Sequence, residues 1–155
     1  MSTTSDITPG LRRKRLGVYW IFAINGLAFA TWMARLPALR DNLGVSTTEV
    51  GLFLLGGALG ALTGLSVSSH IIAALGGRRT IFWFASGAIT AIGLVGVLSV
   101  VVPSLIVAIA AMFVFGFGAS ITDVAMNVEG AKVERELGRT IMPWFHALFS
   151  LGTAV

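Results

Sequence analysis

The chain has 155 residues, 55% of them hydrophobic and 12% charged, with a net charge of +4 and no cysteine. A soluble domain carries about twice that charged fraction, so composition argues against a soluble fold, and the lack of cysteine excludes thiolate metal sites. The surplus cations gather at the ends of apolar runs and not on a soluble face, which argues against a nucleic-acid partner.

Residues 1–11 are polar, rich in Ser and Thr, and read as disordered. With Arg12-Arg13-Lys14-Arg15 they make a basic tail over residues 1–16. That tail, with Ala28-Phe29-Ala30 further on, imitates a signal peptide. The apolar run continues through Trp32 and Met33, too long for an ordinary signal core, so it reads as an uncleaved span. Four runs, Gly17 to Ala34, Val50 to Ser69, Thr80 to Val102 and Ser104 to Thr122, contain no Lys, Arg, Asp or Glu. A bilayer core takes about 20 helical residues, and in lipid the backbone must satisfy its own hydrogen bonds, so each run is expected to be a helix.

Span 1 is expected to end near Pro37, with a linker from Arg35 to Glu49. Ser46-Thr47-Thr48-Glu49 reads as a capping box that opens span 2, because hydroxyl and carboxylate can each satisfy an orphan amide. Ala74 to Arg79 joins spans 2 and 3, and Pro103-Ser104 separates spans 3 and 4 with Ser104 as a cap. Asp123 to Arg139 is amphipathic and charged, and leads to a fifth span that starts near Ile141 and is unfinished at Val155. The expected architecture is all-α, a polytopic membrane helix bundle over residues 17–155 with about 4.5 spans. A cytoplasmic N-terminus places nine of the eleven cations in the cytosol and leaves only Arg35 and Arg40 outside.

Gly56, Gly60 and Gly64 share one face of span 2, with Gly57 beside them, a repeated small-xxx-small pattern that permits close helix packing. Gly116 and Gly118 in span 4 read the same way, since no strand precedes them to make a nucleotide-binding turn. Asp123 continues the apolar run of span 4 close to its cytosolic end, with Asn127 one turn on. A carboxylate at that depth either marks an ion or substrate path or pairs at the interface with a loop arginine. Asn25, midway along span 1, either bridges helices or contacts substrate. His146, near the start of span 5, either bridges helices or relays a proton; with no ligand cluster around it, no metal is expected. His70 and the charge run from Glu129 to Arg139 read as interfacial and solvated. Trp20, Trp32, Trp83 and Trp144, near span ends, suit an aromatic belt. No enzyme or nucleotide-loop motif is present, so neither catalysis nor a cofactor is expected.

Gly76-Gly77-Arg78-Arg79, between spans 2 and 3, resembles the second half of the cytoplasmic loop signature of the major facilitator superfamily (MFS). The first half differs: His70, Ala74 and Leu75 stand where that signature has Gly, Asp and Arg, so the family's latching aspartate has no counterpart here. Met112, four residues before Gly116, likewise replaces a span-4 arginine. The stretch Asp123 to Gly152 is more specific. Its N-x-E-G (Asn127 to Gly130) and F-H-x-x-F-S-x-G (Phe145 to Gly152) elements resemble the branch of MosC-like and fucose-permease-like bacterial proteins. This resemblance implies a partial N-terminal half of a secondary transporter, working by alternating access with a C-terminal half, in a bacterial cytoplasmic membrane. It also implies a small polar solute such as a sugar or cyclitol, proton coupling, and a path through Asn25, Asp123, Asn127 and His146. A small oligomeric membrane scaffold and a small four-helix exporter are the competing readings.

Overall fold

A computed structural model describes residues 8–154. Within them the chain is all-α, in five helices: α1 Pro9–Leu43, α2 Thr47–Leu75, α3 Gly77–Val101, α4 Leu105–Leu137 and α5 Met142–Thr153. The first four are long and apolar enough to cross a membrane. Residues 1–7, the part of the disordered tail expected from sequence, lie outside the described residues; Pro9 to Leu11 are helical, correcting that reading at its end.

Helix starts and stops follow local chemistry. At Ser46 the capping box forms: its Oγ accepts from the Glu49 amide at 3.3 Å, and the Glu49 carboxylate accepts from the Ser46 amide at 2.8 Å. The end of α1 is a Schellman turn, in which the Gly44 amide donates to Asp41 and the Val45 amide to Arg40, with Gly44 at φ +64°. The expected break at Pro37 does not occur, and α1 runs through it for nearly two more turns. Proline within a helix costs about 3 kcal/mol. Leu36, Leu39 and Leu43 pack on the hydrophobic core, and that burial offsets the local penalty. The expected six-residue link between α2 and α3 shrinks to Gly76, whose φ of +77° and ψ of 150° suit glycine alone. The charged, amphipathic stretch after span 4 is helical as far as Leu137, where α4 ends, and Gly138 follows.

The chain forms two compact units, one of residues 31–125 and one of residues 1–30 with 126–155. In the first, Trp32, Phe53, Ala88, Ala91, Val95, Ala108, Met112 and Phe115 make the core. Trp32 therefore departs from the expected interfacial belt: it is buried edge-on to Phe53 and Phe115. Trp20, Trp83 and Trp144 are exposed.

Small residues set the helix spacing in this unit. A Cβ on Gly60 would strike the backbone carbonyl of Phe113, and one on Gly116 would strike the carbonyl of Gly57, so α2 and α4 meet backbone to backbone. Gly56 and Gly64 sit against Ile109 and Phe117 along the same seam, and Gly118 of α4 sits against the Phe84 carbonyl of α3. Gly57 lies within the seam and not beside it, facing the flexible side chain of Met112. The opposite face of α2 exposes Leu52, Leu55, Leu59 and Leu62, as a lipid-facing surface requires. The hydroxyls of Thr63 and Ser66 return to carbonyls of their own helix, so they add no unmet polar group to that face.

Candidate functional site

Three of the four path candidates, Asn25, Asn127 and His146, lie in the unit built from α1 up to Ala30, α4 from Met126 onward, and α5. The buried stripe of α1 is Val18, Phe22 and Gly26, spaced at i and i+4. Phe145 of α5 is fully buried between Tyr19, edge-on at 4.7 Å, and Phe22, stacked at 5.5 Å. Gly130 of α4 lies beneath it, where a Cβ would come within 3.2 Å of the Phe145 ring. Further along, α1 and α5 touch through reciprocal glycines: Gly26 against the Phe149 carbonyl and Gly152 against the Ala23 carbonyl.

These contacts fix the polar candidates. Asn25 is half-buried, and its Nδ2 donates to Met126 Sδ at 3.7 Å, so it bridges α1 and α4. A thioether is a weak acceptor, and the contact uses little of an amide's capacity. The His146 imidazole is exposed and lies edge-on to Phe22 at 5.2 Å, one turn of α1 before Asn25. Asn127 is half-buried on α4. Asp123 belongs to the other unit, at an exposed position of α4, and the helix continues about four turns beyond it. That unit also holds a cavity of about 260 Å³ lined by Trp32, Arg35, Asn42, Ile92 and Ser99 among others, and none of the path candidates borders it.

Several contributors were not singled out from sequence. Phe22, Phe145 and Met126 look like any apolar residue of a span. Gly26 and Gly152 carry a readable small-residue signal, but only pairing of the helices shows that they face each other. Glu134 is the largest omission: its carboxylate accepts from the amides of both Ile141, at 2.8 Å, and Met142, at 2.7 Å. The charge run it belongs to is otherwise solvated as expected, with Lys132 on Glu129 at 2.6 Å and Lys14 of α1 on Glu136 at 2.9 Å. Arg78 and Arg79 of the loop signature are exposed in the first turn of α3, while Gly77 is buried.

No family model matches the chain, and no solved structure does. Curated relatives do. It is 32% identical to an uncharacterized transporter of Sinorhizobium fredii, over 90% of this chain and 36% of the relative. An uncharacterized MFS-type transporter of Yersinia pestis is 30% identical over 96% of the chain and 38% of the relative. The membrane protein MosC of Rhizobium meliloti is 28% identical over 93% and 34%. The chain thus spans a little over a third of the length of the curated relatives it matches. The likeness to proteins named as transporters, one of them MFS-type, extends over nine-tenths of the chain, and with four membrane-length helices it makes this a multi-pass membrane protein.

Proposed function

We propose that this chain, similar along nine-tenths of its length to proteins named as transporters, one of them MFS-type, is part of a secondary active transporter that moves a small polar solute, sugar or cyclitol in type, against its gradient by coupling to protons. The observation that carries the reading is that similarity. The half-buried Asn25 amide, set among apolar helices and bonded only weakly to Met126, supports a solute-contacting role. His146 beside Phe22 and Asp123 on α4 supply two titratable groups suited to coupling. Alternating access needs a second bundle, which the greater length of the relatives accommodates. Uptake of radiolabelled sugars and cyclitols by the full-length protein in liposomes tests the reading. Accumulation that requires an imposed pH gradient is the expected result. Full-length protein that moves no solute, with or without the gradient, would favour the scaffold.

The reading includes a location, the bacterial cytoplasmic membrane with the N-terminus inside. The cation bias predicts Arg78, Arg79 and Arg135 on the cytosolic side and Arg40 outside. Because the chain has no cysteine, single cysteines report sidedness cleanly. A cysteine at position 41 should react with an impermeant thiol reagent in intact cells, and one at position 135 only after lysis. The reverse pattern would invert the topology.

A further inference from the structure

The start of α5 poses an accounting problem. Its N-cap residue, Ile141, has no side-chain acceptor, and Pro143 within the first turn has no amide hydrogen. The Trp144 amide turns back to the Ile141 carbonyl at 3.0 Å. That leaves the Ile141 and Met142 amides pointing out of the helix start, where the helix dipole is positive. One carboxylate oxygen, Glu134 Oε2, accepts from both. Glu134 lies seven and eight residues upstream, across the turn at Gly138, on the last full turn of α4. Two residues on, Glu136 holds Lys14 of α1.

We propose that Glu134 is a positioning residue for the path: by clamping the first amides of α5 it sets the height and rotation at which Phe145 and His146 meet Phe22 and Tyr19. The inference rests on the proposed transport reading for its functional half. The clamp itself stands on the geometry. With four N-terminal amides of a helix to satisfy and no local cap, removal of the carboxylate leaves the packing of Ile141, Met142 and Phe145 to anchor this end of α5. A rotation of one residue, about 100° on a helix of 3.6 residues per turn, would carry His146 off the Phe22 edge. Glu134 touches no proposed path group, so its effect on transport must pass through α5.

Two measurements on the full-length protein test this separately. Hydrogen exchange at the Ile141 and Met142 amides should speed up by about tenfold or more in Glu134→Ala, the scale of losing hydrogen bonds to a charged acceptor. Peptides from α2 and α3 should keep their exchange rates. Glu134→Gln retains a carbonyl acceptor and should restore part of the protection; it also serves where the alanine variant fails to fold. In uptake assays Glu134→Ala should raise KM, because a displaced α5 misplaces the solute contacts, and Glu134→Gln should recover most of it. Unchanged exchange at the two amides would overturn the clamp, whatever transport does. Faster exchange with wild-type KM would overturn the positioning role. A wild-type protein without uptake would refute the transport reading, while exchange still decides whether Glu134 holds α5.

Discussion

Asp123→Asn in the full-length protein should abolish uphill accumulation while leaving downhill exchange. The substitution keeps size and most hydrogen bonding and removes charge and titration. A carboxylate that carries the coupling proton must change charge in the cycle, and an amide cannot. A carboxylate that contacts solute fails differently, with both modes lost. One that only pairs with a cation at the membrane surface loses little, because exposed ion pairs contribute about 0–1 kcal/mol. Asp123 lies at an exposed position of α4, at the end of an apolar run, where an ionised group is costly unless it faces water or a partner. Accumulation at wild-type rate in the variant would remove Asp123 from coupling and leave His146 as the titratable candidate.

The second large effect is on stability. Gly60→Leu should destabilise the protein by about 1–3 kcal/mol or more, the range for overpacking a closed interior. The atom in the way is the backbone carbonyl of Phe113, which cannot rotate aside. Gly57→Leu should cost less, because it meets the flexible Met112 side chain. Gly96→Leu, on α3, meets nothing within 4 Å. It should be neutral or gain up to about 1 kcal/mol from helix propensity. Thermal unfolding in detergent ranks the three. Equal loss at Gly60 and Gly96 would sink the seam.

Gly60 and Gly96 are both glycines of apolar runs, and their packing differs. Gly60 stands in the Gly56-Gly60-Gly64 pattern while Gly96 has Ile92 and Val100 four residues away, yet only the packed helices show which backbone Gly60 meets. The sequence did settle the class. Runs free of charge and long enough for a bilayer have one backbone solution, so α1 to α4 and the all-α architecture are legible in the residues alone. Features with a local cause were legible too: the Ser46–Glu49 box is complete within four residues. The N-x-E-G and F-H-x-x-F-S-x-G stretches carried the likeness that whole-chain similarity then extended.

The tertiary structure decided everything that depends on a distant partner. Pro37 reads as a stop because its cost is local, yet α1 passes through it because Leu36, Leu39 and Leu43, half-buried, pack on the core. Trp32 reads as an interface residue from its place near a span end, and packing with Phe53 and Phe115 takes it inside. Glu134 reads as one more solvated charge, since a cap is sought within three residues of a helix start and this one lies seven and eight away. In lipid, apolar surface has no preference between a tail and a leucine, so hydrophobicity fixes that a helix forms but not which face meets which neighbour. That choice falls to backbone approach at Gly60, Gly116, Gly26 and Gly152 and to a few polar contacts, and these exist only once the helices are side by side.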